Sequence, residues 1–68
     1  MKDDAKKLGE NLKKIRTEKN ITQTELAKTL DVDKSFVSNI ENGKTNPTLS
    51  TITNLAQALG VSANELLK

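Results

Sequence analysis

The apolar residues of this chain are spaced for helices throughout. Leucine, isoleucine, valine and alanine recur every three or four positions, and no segment alternates apolar and polar residues as a half-buried strand does. Residues at this spacing share one face of a helix, which has about 3.6 residues per turn. The sequence therefore predicts an all-α fold.

Capping signals divide this pattern into five helices. The first is predicted over about residues 4–19, and the second opens at a capping box made by Thr22 and Glu25. The third is predicted to begin at an Asp33 cap and to end at Gly43 in a left-handed conformation. Short helices joined by short turns are the expected organisation.

The fourth and fifth helices follow the only proline. Pro47 excludes helix until the chain has passed it, so Thr48 is predicted to cap the fourth helix and Gly60 to end it. Ser62 and Glu65 are predicted to form a second capping box, which opens the fifth helix. The predicted inward residues of the fourth helix are Leu49, Ile52, Leu55, Ala56 and Leu59.

Length and composition exclude several classes of function for this chain. The chain has 68 residues, the size of one domain, and it contains no cysteine and no histidine. Thiol and imidazole metal sites and histidine bases are therefore excluded, and the carboxylates have simpler roles as caps, turn residues or ion-pair partners. No glycine-rich phosphate loop is present. We expect no enzymatic activity, no cofactor and no small-molecule ligand.

Membrane and export signals are missing from the sequence. No apolar run approaches the roughly 20 residues that cross a bilayer, and residues 1–14 contain no hydrophobic signal region. We expect a cytoplasmic protein without a membrane partner.

Basic residues are concentrated near the N-terminus. Residues 1–19 hold seven basic and four acidic side chains, whereas residues 20–68 hold four basic and five acidic ones. A basic helix suits a polyanion such as nucleic acid, but it also serves as a solubilising face with pairs such as Glu10 and Lys14. Charge alone leaves both interpretations open.

The outer face of the third helix is short-chained and polar. Val37 and Ile40 share one sector of the helical wheel and are predicted to face the core. The side chains away from this sector belong to Lys34, Ser35, Ser38 and Asn39. Such groups can bind base edges in a DNA groove, but they also fill ordinary solvent-exposed positions. This helix alone does not decide between the two interpretations.

The segment around this helix resembles a DNA-binding motif. Gln23–Asn42 reads Q-T-E-L-A-K-T-L-D-V-D-K-S-F-V-S-N-I-E-N and is similar to the helix-turn-helix of the phage repressor and Cro family. Ala27 matches the close helix–helix contact, and I-E-N-G, N-P-T-L and A-L-G-V-S continue the match over about residues 8–67. Asp31 stands where the family usually has glycine, and aspartate tolerates the left-handed backbone that this position needs.

The resemblance implies a compact, lambda-repressor-like domain of five helices, whose third helix enters the DNA major groove. The implied base-reading residues are Lys34, Ser35 and Asn39, with Ser38 as a further candidate on the same face. The implied phosphate-contacting residues are Gln23, Asn42, Lys44 and Thr45. Arg16 and Glu41 match an ion pair that ties the third helix to the scaffold. Phe36 either packs beside Ile40 or projects toward a thymine methyl group.

The resemblance also implies a homodimer. One short recognition helix contacts about four base pairs, whereas two copies read a palindromic operator with half-sites about one helical turn apart. The expected dimer surface is the C-terminal part, residues 48–67. Leu66 and Leu67 are adjacent and hardly fit together into one small core, so both are expected at this surface. The alternative is that one leucine covers the edge of the core.

The expected function is sequence-specific binding of double-stranded DNA in the regulation of transcription. If the sequence is complete, residues 1–68 form a single domain that resembles stand-alone regulators such as small phage repressors and controller proteins. The alternative is a protein-interaction module of the same fold, similar to an antitoxin or a coactivator. In that case the outer face of the third helix would be dispensable.

Overall fold

Five helices make up the described part of the chain. The computed structural model describes residues 2–68, with side chains from residue 4 onward. The helices are α1 (Lys2–Glu18), α2 (Gln23–Leu30), α3 (Lys34–Glu41), α4 (Leu49–Leu59) and α5 (Ala63–Leu67). Their type and order confirm the all-α prediction. Within these residues no helix is long and apolar enough to cross a membrane.

One apolar core lies between the helices. α1 packs against α3 and α5, while α2 packs against α3 and α4. The largest fully buried side chains are Leu12, Leu26, Val37, Ile40, Leu55 and Leu66, which come from all five helices. Each such side chain contributes about 1.5–3 kcal/mol through its burial. Because every helix supplies a member, no helix is an appendage of the domain.

α5 packs against both α4 and α1, and α1 also supplies hydrogen bonds to it. It has only five residues, which is too short for a helix to be stable alone. The Asn11 side chain of α1 donates hydrogen bonds from Nδ2 to the carbonyl oxygens of Leu66, at 3.0 Å, and Lys68, at 3.2 Å. These carbonyls belong to the last turn of α5 and the residue after it, and the last carbonyls of a helix have no partner within the helix. α1 therefore caps α5.

Four helices end with a residue in the left-handed conformation. The residues are Asn20, Asp31, Gly43 and Gly60, with φ between 58° and 72°. After each one, the next backbone N–H donates to a carbonyl oxygen five residues earlier, at 2.9–3.0 Å, as in a Schellman motif. The conformations expected at Asp31 and Gly43 are confirmed. Asn20 takes the same conformation without a glycine signal, since asparagine tolerates it.

The capping box at the start of α2 is confirmed. Glu25 donates its N–H to Thr22 Oγ1 at 3.0 Å, and Thr22 donates its N–H to Glu25 Oε1 at 2.8 Å. The hydrogen bonds from Thr22 stabilise the carboxylate and so lower the pKa of Glu25. Thr48 likewise caps α4 by accepting the Thr51 N–H at 3.2 Å.

Three predictions about side chains near helix starts are wrong. Ser62 and Asp33 occupy N-cap positions, but neither side chain makes a capping hydrogen bond. Glu65 does not reach back to Ser62 and instead pairs with Lys68 at 3.2 Å. Leu49 is 70% exposed rather than inward. It is the first residue of α4 and lies beside the exposed loop, beyond the reach of the core.

Candidate nucleic-acid interface

α3 is fixed to the rest of the domain on its inner side. Val37 and Ile40 are 0% and 1% exposed, which confirms that they anchor the helix in the core. α1 crosses α3 in backbone contact at Gly9. A Cβ at Gly9 would collide with the Ile40 carbonyl oxygen and would lie 2.7 Å from the Glu41 carbonyl oxygen. The missing side chain therefore lets the two helices approach, and the position of α3 is well defined.

The outer side of α3 carries the predicted base-reading residues. Lys34 and Ser35 are exposed, while Ser38 and Asn39 are half-buried. Ser38 Oγ accepts a long hydrogen bond, 3.4 Å, from Asn42 Nδ2. The structure shows no hydrogen bond from the Lys34, Ser35 or Asn39 side chain to another group of the described residues. The domain therefore presents a narrow strip of amide, hydroxyl and ammonium groups, which are the groups that pair with base edges.

Phe36 lies at the border of this strip. Its side chain is 39% exposed, so the ring is packed in part. It lines a surface depression of about 230 Å³ between α3 and the following loop, together with Asn39, Thr45 and Pro47. Packing accounts for the covered part of the ring, and Asn39 lines the same depression.

A buried polar network ties α3 to α1 and α2. Arg16 donates from Nε to Glu41 Oε2 at 2.5 Å and from Nη2 to Oε1 at 3.2 Å. The two side chains are only 10% and 2% exposed. Gln23 donates from Nε2 to Glu41 Oε1 at 2.9 Å, and Arg16 Nη1 donates to the Ile21 carbonyl oxygen at 2.7 Å. The ion pair predicted from the sequence is present, and it holds the end of α3.

The four predicted phosphate-contacting residues lie at one end of α3. Gln23, at the start of α2, is brought there by its bond to Glu41. Its amide nitrogen has two hydrogens, so one is still available for a ligand. The other three, Asn42, Lys44 and Thr45, are exposed in the turn after α3. The Lys44 N–H donates to the Asn39 carbonyl oxygen at 2.9 Å, which fixes the backbone of this turn.

The two C-terminal leucines differ in exposure. Leu66 is 0% exposed inside the domain, so its side chain is not available to a partner, and its assignment to the dimer surface is wrong. A short helix turns by about 100° per residue, and this turn directs Leu67 outward, where it is 53% exposed. Leu67 borders a shallow depression with Asp4 and Lys7 of α1. Of the two leucines, only Leu67 is left as a candidate for contact with a second copy, and the wider surface predicted over residues 48–67 stays a prediction.

Known proteins share this sequence and this fold. The helix-turn-helix family model (HTH_3) matches residues 12–66, and the chain belongs to this family. It is 42% identical over 65 residues to the uncharacterised HTH-type transcriptional regulator y4dJ of Sinorhizobium fredii, covering 96% of this chain and 84% of that protein. The resemblance inferred from the sequence is thereby confirmed.

Two crystal structures show the same architecture. The restriction-modification controller protein C.AhdI from Aeromonas hydrophila superposes with a TM-score of 0.89 at 38% identity, covering 94% of this chain and 97% of that one. The controller protein C.Esp1396I, solved as a tetramer in complex with its natural 35-base-pair operator, superposes with a TM-score of 0.80 at 32% identity, covering 94% and 95%. The five-helix fold and the regulatory class of this chain are those of its family.

Proposed function

We propose that residues 1–68 form one domain that binds a specific double-stranded DNA sequence as a homodimer and regulates transcription in the cytoplasm. The observation that carries this proposal is the geometry of α3. Val37 and Ile40 hold the helix inward, so the strip of Lys34, Ser35 and Asn39 projects away from the domain. Short side chains let the helix backbone approach the floor of a major groove.

Each side chain of the strip has a chemical preference among bases. The Asn39 amide donates and accepts at once, which suits the N6 and N7 groups of adenine. The Lys34 ammonium suits the O6 and N7 acceptors of guanine, while the hydroxyls of Ser35 and Ser38 pair with several bases. We assign sequence selection to these residues, with Asn39 and Lys34 as the most discriminating pair.

The end of α3 orients the domain on the duplex. Gln23, Asn42, Lys44 and Thr45 lie around it and offer donors to phosphate oxygens. Contacts of this kind fix register and orientation without reading sequence. Because the Arg16–Glu41 pair joins this end to the scaffold, the phosphate contacts and the base-reading strip keep a constant relative position.

A second copy is needed for selectivity. α3 has eight residues, so it is about 12 Å long and covers only a few base pairs. Two copies related by a two-fold axis would read a palindrome with half-sites about 34 Å apart. The exposed Leu67 is the candidate for the contact between copies, and the assembly of a 32%-identical controller protein on its operator supports this arrangement.

Selection of bound sites from random duplexes tests the proposal directly. The expected result is an enriched motif with two-fold symmetry. A chain that uses this fold only to bind proteins would enrich no motif. Enrichment of a single short, asymmetric site would contradict the dimer. In that case Leu67→Ser and wild type should have the same molar mass by light scattering.

Variants then assign the roles on the selected operator. Asn39→Ala and Lys34→Ala should each lose about 1–3 kcal/mol of discrimination at particular base pairs. Lys44→Ala should weaken binding to operator and random duplex alike and flatten the salt dependence. Thr17→Ala is the control, since Thr17 is exposed on α1 and is assigned neither to DNA nor to the contact between copies. If Asn39→Ala binds every sequence as Thr17→Ala does, the assignment of α3 to base reading is wrong.

A further inference from the structure

Two pairs of lysines flank the buried face of α1. All four side chains are exposed. On the helical wheel, Lys6 and Lys13 adjoin the side of α1 that carries Gly9, while Lys7 and Lys14 adjoin the opposite side, which carries Asn11. The sequence does not distinguish the pairs, since both consist of two lysines seven residues apart. Their surroundings in the fold are different.

The first pair begins beside the turn that follows α3. A Cβ built on Gly43 would lie 3.1 Å from the Cα of Lys6, so the backbone of α1 touches this turn at Lys6. The turn continues into Lys44, one of the residues assigned to phosphate binding. Lys6 and Lys44 therefore belong to two segments that touch each other, and both side chains are exposed.

The same edge of α1 leads toward the start of α2. Lys13 lies one turn before Arg16, whose guanidinium binds Glu41. Glu41 in turn accepts a hydrogen bond from Gln23, the first residue of α2. The edge with Lys6 and Lys13 thus runs from the turn after α3 to the network that holds Gln23. The residues at the two ends of this edge, Lys44 and Gln23, have both been assigned to contacts with DNA phosphates.

The second pair faces α5. Lys7 borders the depression lined by Leu66 and Leu67, and Lys14 borders another one lined by Glu65 and Lys68. No residue assigned to DNA lines either depression. Lys7 and Lys14 therefore match Lys6 and Lys13 in charge and lie on the same helix, but they have different neighbours.

We propose that Lys6 and Lys13 are further phosphate-binding residues, so that the DNA interface extends beyond the helix-turn-helix to one edge of α1. The inference rests on the proposed DNA-binding function. The two lysines lie two helical turns apart, which is about 10 Å, so they meet different phosphates. Each ammonium that neutralises a phosphate releases a condensed counterion and makes binding more sensitive to salt.

The test compares two double variants of equal charge, Lys6→Ala/Lys13→Ala and Lys7→Ala/Lys14→Ala. The dissociation constant for the selected operator and for a random duplex is measured by fluorescence anisotropy at several salt concentrations. In the first variant the slope of log affinity against log salt should become shallower by about 3.6, since a dimer loses four phosphate contacts and each contributes about 0.9. The affinity for the operator and the affinity for the random duplex should fall by the same factor. The second variant should keep the wild-type slope, and light scattering should show that its molar mass is unchanged, because Lys7 borders the depression beside Leu67.

Two controls make the outcome unambiguous. Circular dichroism and the melting temperature should show that both variants are folded, because all four side chains are exposed. Lys44→Ala serves as the positive control for a phosphate contact. If wild type binds DNA, Lys44→Ala flattens the slope and the two double variants have equal slopes, the inference is overturned while the proposed function stands. If wild type binds no duplex at all, both are overturned.

Discussion

Replacing Glu41 with alanine would leave a charged guanidinium inside the domain without its anion. The Arg16 side chain is only 10% exposed, so water cannot take the place of the carboxylate. The substitution removes two hydrogen bonds from Arg16 and one from Gln23. It therefore loosens the junction of α1, α2 and α3 while leaving every apolar core residue in place.

The size of the effect follows from the burial of the pair. Removing one partner of a buried ion pair costs about 3–5 kcal/mol, whereas an exposed pair contributes about 1 kcal/mol or less. A chain of 68 residues is expected to have a free energy of unfolding of about 3–10 kcal/mol. We expect Glu41→Ala to lose about 3 kcal/mol, which is a large part of the total.

Urea unfolding followed by far-ultraviolet circular dichroism measures this loss. The double variant Arg16→Met/Glu41→Met is the matched control, because it removes both charges and leaves no buried charge without a partner. It should be more stable than Glu41→Ala, since a buried ion pair is often replaced by apolar residues at little cost. A loss below about 1 kcal/mol for Glu41→Ala would show that the pair behaves like a surface pair, and the reasoning from burial would be refuted.

Three further substitutions test other parts of the fold. Gly9→Ala should lower the melting temperature although alanine favours helix by about 1 kcal/mol, because its Cβ would collide with the Ile40 carbonyl; an increase would contradict the close crossing. Asp31→Gly should raise the free energy of unfolding by up to about 1 kcal/mol in urea, because glycine takes a positive φ without strain. The pKa of Glu25 is lowered in the folded state. The stabilisation that the Glu25 carboxylate gives the fold is therefore complete above the ordinary glutamate pKa of about 4.3, and it is lost as pH falls through the lower pKa of the folded state. Glu25→Gln keeps an acceptor oxygen for Thr22 but does not titrate. The free energy of unfolding of this variant should therefore fall less than that of wild type between neutral and acid pH.

Local rules predicted the elements of this fold well. The capping box of Thr22 and Glu25 and the left-handed turns at Asp31 and Gly43 each depend on residues close together in sequence. The inward position of Val37 and Ile40 depends only on helical periodicity. For such features the interactions that decide the structure are visible in the sequence itself.

Local rules failed at Asp33 and Ser62, whose side chains make no capping hydrogen bond. The other errors arise where position along or around a helix depends on distant packing. Leu49 has the right period to face the core but lies beyond its end. Periodicity could not decide which of Leu66 and Leu67 is buried, because that depends on how α5 meets α1. The same limit applies to the candidate site, since the distinction between Lys6 and Lys7 appears only after α1 is packed against α3.

The contact of Asn11 with the end of α5 has a consequence for inactivation. The segment that presents Leu67 is held in part by a side chain from α1, which donates hydrogen bonds to its last carbonyls. The opposite edge of α1 supports the end of α3 through Gly9 and Arg16. Heat or a protease that opens α1 should therefore abolish self-association and operator binding together, rather than one before the other.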